Sequence, residues 1–252
     1  MSPTARTRAR IAERFSRAAA GYEAHAQLQQ AIATELRAAF VPRGVVLDAG
    51  CGTGRDSLWL AAQPEVAAVY ALDVAPQMLA AVPAHARITP LLGDVAALPL
   101  PAACVDQAFS NFALQWTDAM AAAAELARVL RPGGALCFSV PGPGSLAALA
   151  AAGLMVNAFA DDSEWAMALM CNGFTDVDFF HATHAAHFAT PQEMLRALKA
   201  IGANTATGTA GAAVHGRAWW QRVSAALEAA REPAGIPLRY EVIYVRARRA
   251  ED

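Results

Sequence analysis

A glycine-rich segment, Val46-Leu-Asp-Ala-Gly-Cys-Gly-Thr-Gly54, constrains the fold more than any other stretch of the chain. It begins in a short apolar run, 45–49, that is typical of a buried strand, and it leads into a stretch with helical character from Asp56 onward. Its three glycines allow the backbone to approach a ligand closely. Because dinucleotide-binding domains use a similar turn, the loop alone predicts only a ligand site in an α/β fold.

Strand and helix patterns alternate after this loop, which favours a doubly wound, Rossmann-like α/β sheet. We predict seven strands, at 45–49, 67–73, 88–92, 105–111, 135–140, 175–180 and 238–246. Residues 8–40 contain helix formers and no proline, so one or two helices precede the sheet. We expect a single domain over residues 1–252, with an N-terminal helical lid (1–41), a cofactor-binding half (42–141) and a substrate-side half with lid insertions (142–252).

The carboxylate of Asp48 narrows the kind of ligand that this loop binds. An acidic side chain at the end of the strand would repel a pyrophosphate placed at the helix N-terminus. It would attract the ammonium and sulfonium groups of S-adenosylmethionine, which carries no phosphate. The glycines also follow the spacing GxGxG rather than GxGxxG. We therefore predict that S-adenosylmethionine contacts Asp48 and the loop residues Gly50, Cys51, Gly52 and Gly54.

Polar residues at the ends of the next three strands extend this predicted site. Asp73 ends the second strand, where a carboxylate can accept hydrogen bonds from both ribose hydroxyls, although a helix N-cap is the alternative. After the third strand, Asp94 can accept the adenine amino group; a surface-turn aspartate is the alternative. Asn111 ends the fourth strand, beside the expected methionine moiety. The remaining predicted cofactor contacts are Val74, Met78, which has core packing as an equal alternative, and Val95.

Composition excludes several classes of function. The formal net charge of −2 argues against a general nucleic-acid-binding role. Residues 1–44 hold seven arginines against three glutamates, a pattern that favours a solvated helix face slightly over a surface that steers an acidic partner. The four scattered cysteines suit a reducing compartment. We found neither a secretory signal nor a membrane span, so we expect a cytoplasmic protein that binds neither membrane nor nucleic acid.

With these residues identified, the chain resembles the class I methyltransferases and, more narrowly, the malonyl-[acyl-carrier protein] O-methyltransferases of biotin synthesis. The most specific matching stretches are 15–29, which includes Tyr22 and His25; 110–116, which ends in Gln115-Trp116; and 237–244. The resemblance covers nearly the whole chain and implies the seven-stranded class I methyltransferase sheet. It also implies a malonyl group on acyl-carrier protein, or malonyl-CoA, as the partner that is methylated.

The resemblance also suggests how the acceptor is enclosed. Phe15, Tyr22 and His25 are candidate lid residues, with a simple docking helix as an equal alternative for their segment. Gln115 and Trp116 would face the methyl acceptor or pack against the next helix. A carboxylate acceptor is already ionised at pH 7, so we expect no catalytic general base. We also expect no metal, for the reason given with the histidines below.

One stretch departs from the family pattern. Residues 142–156 form a short, Ala-rich segment without the arginine that family members are expected to use for the malonyl carboxylate. Arg196, Arg217 or Arg239 could replace it, although the sequence places none of them in the pocket.

Three alternatives therefore stay open. The first is another small carboxylic acid, the second is a quinone-like ring, and the third is a non-catalytic protein that binds S-adenosylmethionine. A ring acceptor would require a base, for which His181, His184 or His187 could serve. A metal site made of these three histidines is disfavoured, because on a strand His184 points away from the other two.

Overall fold

The computed structural model of the chain describes residues 3–201 and 216–251, except for the side chains of residues 3–8, 24 and 25. Within these residues the helices are α1 (Pro3–Ala18), α2 (Tyr22–His25), α3 (Gln27–Ala38), α4 (Arg55–Ala61), α5 (Pro76–Ala81), α6 (Ala119–Val129), α7 (Ala147–Ala151), α8 (Asp162–Cys171), α9 (Pro191–Ala200) and α10 (Arg217–Ala229). The strands are β1 (Gly44–Ala49), β2 (Val66–Asp73), β3 (Ile88–Leu92), β4 (Val105–Asn111), β5 (Leu130–Pro141), β6 (Phe174–Phe188) and β7 (Ile236–Arg249).

The seven strands form one mixed sheet in the order β3-β2-β1-β4-β5-β7-β6. Strands β1 to β5 are parallel to one another, whereas β7 runs antiparallel to both β5 and β6. The predicted seven-stranded α/β sheet is therefore confirmed. The order reverses between β1 and β4, and ligands of open α/β sheets bind at such a switch point, beyond the carboxyl ends of the strands.

Alternating residues of the central strands fill two separate cores, one on each face of the sheet. Val46 and Phe109 pack on one face with α3, α4, α9 and α10. Their neighbours Leu47 and Ala108 pack on the opposite face with α6 and α8. Because side chains alternate along a strand, a strand covered on both faces must be apolar throughout. This explains the continuous apolar runs in the sequence.

Strand β6 extends well beyond the predicted 175–180. Its antiparallel pairing with β7 continues to the pair Phe188–Ile236, so the histidines that follow Phe180 lie within the strand. Half of this segment is exposed, and exposed positions weaken the apolar pattern from which strands are predicted. No helix in the described part of the chain is both long and apolar enough to cross a membrane.

Candidate active site

A cavity of about 740 Å³, its open mouth included, lies beyond the carboxyl ends of β1, β2 and β4. We call it the first chamber. Its lining brings together most of the residues predicted from the sequence to contact the cofactor: Gly50, Gly52, Asp73, Val74, Met78, Asp94, Val95 and Asn111. Phe15, Tyr22 and Trp116, predicted as lid or acceptor residues, line it as well. His25 has no described side chain, so its predicted role lies outside the described residues.

The loop needs glycine at Gly50 and at Gly52 for different structural reasons. Gly50 has a φ of +82°, and a Cβ there would lie 2.2 Å from the Cβ of Ala113, so only glycine fits. Gly52 has a φ of +54°, but the nearest atom to its Cβ position would be Cε1 of Tyr22, 4.0 Å away. Gly52 therefore leaves open space in front of the backbone, which a ligand can use.

Asp73 is held at the end of β2 by the backbone. Its Oδ2 accepts the amide of Gly52 at 2.9 Å, and its Oδ1 accepts the amide of Ala75 at 2.8 Å. Burial raises the pKa of this carboxyl, while the two amides act against that rise. Asp73 lines the first chamber. It is not the N-cap of α5, because Ala75 holds that position and no side chain caps the helix. The carboxylate thus fixes the loop and keeps further acceptor capacity for a ligand.

Asp48 does not line the first chamber. It is 1% exposed, and its Oδ2 accepts the hydroxyl of Ser57 at 2.6 Å from the first turns of α4. Burial raises the pKa of Asp48, and nearby Asp56 raises it further. The predicted direct contact between Asp48 and a bound cation is therefore not supported by this geometry, because the buried carboxylate accepts from Ser57 and does not line the first chamber. Cys51 and Gly54 also lie outside the chamber lining.

The other strand ends are ordered by local hydrogen bonds. Asp94 accepts the amide of Ala96 at 2.9 Å, which fixes the turn after β3. Asn111 accepts the hydroxyl of Ser139 at 2.8 Å and donates to the carbonyl of Gln29 at 3.2 Å. The Asn111 amide thus connects β4, β5 and α3 at the edge of the first chamber.

The N-terminal helices cover the first chamber. Phe15 and Tyr22 pack with Ala18, Ala75 and Met78 in a small apolar cluster. Burial, and then the charge of Asp73, raises the pKa of Tyr22 well above its ordinary value, so its hydroxyl keeps its proton.

The carboxylate of Glu23 holds this segment against the loop. It accepts the Thr53 hydroxyl, and it also accepts the Arg55 guanidinium, with an Arg55 Nε distance of 2.8 Å. In this structure, therefore, α2 is docked on the glycine-rich turn.

A second chamber, about 510 Å³ with its opening, adjoins the first. The two share Phe15, Tyr22, Phe112 and Trp116 in their linings. The second chamber adds Gln29, Gln115, Pro141, Leu146, Val156, Asn157, Phe159, Ile201 and Tyr240. No arginine, lysine or histidine is among these described lining residues. The short segment that departed from the family pattern contributes Leu146 and Val156, which leave this part of the wall apolar.

None of the three arginines considered as substitutes lines the second chamber. Arg239 pairs with Glu232, and Arg217 is exposed at the start of α10. Arg196 lines a separate cleft between α1 and α9. The undescribed residues 202–215 contain no arginine or lysine in their sequence. The expected cation therefore has no counterpart among the described residues that line this chamber.

The histidines of β6 point in opposite directions, as the strand period predicts. His184 is nearly buried, 2.7 Å from the hydroxyl of Tyr244, whereas His181 and His187 pair with Asp162 and Glu232. These two carboxylate partners come from α8 and from the loop before β7, so the sequence around the histidines does not indicate them. None of these histidines lines either chamber.

Sequence reasoning missed several residues of the two chambers. Gln29 and Tyr240 approach from α3 and β7, and neither carries a local signal. Phe112 lies inside the 110–116 stretch, and its positive φ of 55° marks a strained turn at the end of β4. Its ring meets that of Tyr240 edge to face, with centroids 5.2 Å apart. The matching stretches 110–116 and 237–244 are therefore in contact in the fold.

Comparison with known proteins agrees with this geometry. Residues 47–138 match a family model described as a methyltransferase domain. The chain is 35% identical over 263 residues to malonyl-[acyl-carrier protein] O-methyltransferase of Dechloromonas aromatica, with 99% of this chain and 98% of that one covered. It is 36% identical to the protein of the same name from Methylovorus sp., with 94% and 87% covered.

A solved structure shares the fold. The YcgJ protein of Bacillus subtilis superimposes with a TM-score of 0.63 at 16% identity, over 88% of this chain and 99% of that one. The identity of 36% and 35% to the two curated relatives extends over nearly the whole chain, so it supports a narrower assignment than the fold alone does. The chain belongs to the malonyl-[acyl-carrier protein] O-methyltransferase family of class I S-adenosylmethionine-dependent methyltransferases.

Proposed function

We propose that the chain transfers the methyl group of S-adenosylmethionine to the free carboxylate of a malonyl thioester on acyl-carrier protein, a step of biotin synthesis. The observation that carries this proposal is the pair of chambers that share Phe15, Tyr22, Phe112 and Trp116. A cofactor in one chamber and an acceptor in the other would meet at this shared wall. The four cysteines are free thiols, which suits a cytoplasmic enzyme.

The residues of the first chamber fit S-adenosylmethionine. Asp73 can accept the ribose hydroxyls while it keeps its two backbone donors. Asp94 and the amide of Val95 suit the adenine edge, and Asn111 suits the methionine moiety. The open space before Gly52 admits the ligand close to the backbone. When bound, this cofactor supplies an electrophilic methyl group on a sulfonium.

The second chamber can hold a carboxylate through neutral donors. The Oε1 atoms of Gln29 and Gln115 are buried and accept no hydrogen bond from the described residues. The Nε2 of Gln115 already donates to the carbonyl of Phe112 at 2.7 Å. Gln29 lines the second chamber, and its side-chain amide is one neutral donor for an acceptor there. The protonated hydroxyl of Tyr22 is a second.

The chain's contribution to the reaction is alignment and exclusion of water. An ionised carboxylate and a sulfonium react to give two neutral groups, so water stabilises the starting state more than the transition state. The aromatic wall of Phe15, Phe112 and Trp116 keeps water away from the reacting atoms. Alignment of this kind supplies up to about 7–11 kcal/mol in well-oriented systems. No proton has to be removed from the acceptor, so none of the described residues is assigned as a base.

The direct test is incubation of the protein with S-adenosylmethionine and a set of acceptors, followed by mass spectrometry. The set includes malonyl-carrier protein, malonyl-CoA, acetyl-carrier protein, a free dicarboxylic acid and a phenolic ring acceptor. We expect a methyl ester on the malonyl thioesters and no product on the acetyl thioester, which lacks the carboxylate. Binding of S-adenosylhomocysteine without methylation of any acceptor would instead support a non-catalytic binding protein.

One observation favours a second candidate function. The second chamber has no cation among its described lining residues, and a neutral ring acceptor such as a phenol needs none. Product on the phenolic acceptor alone would replace the carboxyl proposal with this one.

A further inference from the structure

A basic cleft lies on the outer side of the lid. Its lining contains four cationic side chains, those of Arg14 and Arg17 on α1 and of Arg196 and Lys199 on α9. The rest of the described lining consists of Ala18, Gly21 and Ala200, without any acidic residue. The cleft, about 820 Å³ with its opening, is thus a concentrated positive site on a chain with a net charge of −2.

Three of these cations, Arg17, Arg196 and Lys199, are largely available to a ligand. Arg196 and Lys199 are exposed and form no ion pair among the described residues. Arg17 pairs with Glu13 one turn earlier, at 2.6 Å, but both side chains are more than 60% exposed. Exposed pairs of this kind contribute little, so Arg17 can exchange its partner for an anion. Two arginines of the basic N-terminal segment therefore line the same cleft as the cations of α9.

The basic cleft and the second chamber are lined by neighbouring residues of the same three chain segments. Phe15, Tyr22 and Ile201 line the second chamber. Their immediate predecessors Arg14, Gly21 and Ala200 line the basic cleft. Sequence neighbours therefore line the two cavities, which places the basic cleft next to the second chamber.

We propose that the basic cleft binds the phosphate of the phosphopantetheine arm that carries the acceptor thioester. The proposal rests on the proposed function, because it requires a phosphopantetheinyl thioester as the acceptor. Arginine guanidinium groups match phosphate oxygens in a two-pronged geometry, and Lys199 adds a point charge. The arm of a carrier protein and the corresponding arm of coenzyme A carry this same phosphate chemistry. The cleft holds the arm by its charged end, while the thioester end reaches the shared wall of the chambers.

The test compares ligands with and without the phosphate. Calorimetry on the full chain, saturated with S-adenosylhomocysteine, measures the binding of phosphopantetheine and of pantetheine. Steady-state kinetics then compare malonyl-carrier protein, malonyl-CoA and malonyl-pantetheine. The test variant is Arg196→Gln with Lys199→Gln. The matched control, Arg222→Gln with Arg248→Gln, removes the same charge from exposed positions outside the cleft.

We expect phosphopantetheine to bind wild type about tenfold more tightly than pantetheine, and this preference to vanish in the test variant. The KM of both phosphate-bearing substrates should rise about tenfold in that variant. kcat, the KM for malonyl-pantetheine and the affinity for S-adenosylhomocysteine should all stay unchanged. The control variant should match wild type.

Three results would overturn the proposal: equal binding of phosphopantetheine and pantetheine, equal loss in test and control variants, or a KM change confined to the carrier protein. The last would indicate contact with the carrier protein's own surface. Wild type that methylates no malonyl thioester would refute the proposed function alone, because the calorimetric comparison does not depend on turnover.

Discussion

Phe15 and Trp116 meet edge to face, with ring centroids 5.5 Å apart and an angle of 80° between the rings. One ring comes from the N-terminal lid and the other from the segment after β4. Both residues line the two chambers, so their contact lies beside the junction at which a methyl group would pass in the proposed reaction. The contact also joins α1 to the segment that follows β4.

The Phe15–Trp116 contact leads to a first prediction. Phe15→Ala should lower kcat/KM for methyl transfer about tenfold, because water reaches the shared wall when the ring is removed. Phe15→Leu keeps an apolar cover and should lose much less. Steady-state kinetics with the malonyl thioester provide the comparison. Equal kinetics in Phe15→Ala and wild type would show that the wall does not exclude water.

The loop glycines should respond differently to the same substitution. Gly50→Ala places a Cβ in collision with Ala113 and should lower the free energy of unfolding by at least the ~1–2 kcal/mol that left-handed backbone costs a residue with a Cβ. Gly52→Ala carries the same left-handed backbone cost but meets no close atom, so it should destabilise the fold less than Gly50→Ala and should also weaken the binding of S-adenosylhomocysteine. Chemical unfolding and calorimetry separate the two effects. A Gly52→Ala variant that is destabilised as much as Gly50→Ala and binds with normal affinity would contradict this interpretation of the loop.

Asp73 should dominate affinity for the cofactor. Asp73→Asn removes the charge that can accept the ribose hydroxyls and disturbs the amides of Gly52 and Ala75. A hydrogen bond to a charged group contributes about 1.5–3 kcal/mol, so the Kd for S-adenosylhomocysteine should rise about 10- to 100-fold. Asp178→Asn, in an exposed ion pair with Arg246, is the matched control. A Kd that moves equally in both variants would remove Asp73 from the binding site.

Asp48 should make stability depend on pH in the direction opposite to that of a paired surface carboxylate. Burial raises its pKa in the folded chain, whereas an unfolded aspartate titrates near ~4. The folded state therefore holds this proton longer. The stability that it contributes is complete below pH ~4 and is lost as the pH rises through the raised pKa.

This dependence can be measured by urea unfolding without cofactor between pH 5 and 8. One proton corresponds to a slope of about 1.4 kcal/mol per pH unit, and Asp48→Asn should flatten the profile by up to this amount. Wild type and variant profiles with the same slope would mean that Asp48 does not retain its proton.

The rate profile distinguishes the classes of acceptor. With a carboxylate acceptor and saturating cofactor, kcat should be flat across neutral pH, because the acceptor is ionised throughout. A phenolic acceptor without a base would show kcat rising about tenfold per pH unit toward the pKa of the phenol, ~10. Stopped assays at matched ionic strength provide the test. A rising profile for the malonyl thioester would indicate that a base takes part.

The sheet and most of the first chamber could be predicted because their signals are local. Each strand end carries its own polar residue, and parallel strands bring those ends to one edge of the sheet. For this reason Asp73, Asp94 and Asn111 can each be predicted from the strand end on which they lie, and all three line one cavity.

The remaining features depend on contacts between distant segments. The direction of Asp48 is set by Ser57 on the following helix, which the loop sequence does not show. Gln29 and Tyr240 enter the second chamber from α3 and β7, more than two hundred positions apart in sequence. The basic cleft likewise combines α1 with α9. In the sequence its cations appear only as scattered surface charges.

A crystal structure of the chain with S-adenosylhomocysteine and a stable malonyl thioester analogue would test the central claim most directly. We predict the sulfur of the product in the first chamber and the acceptor carboxylate in the second. One carboxylate oxygen should face the sulfur directly, beside the rings of Phe15 and Trp116, and accept hydrogen bonds from neutral donors such as Gln29. An acceptor carboxylate bound outside the second chamber, or paired with an arginine there, would contradict the account.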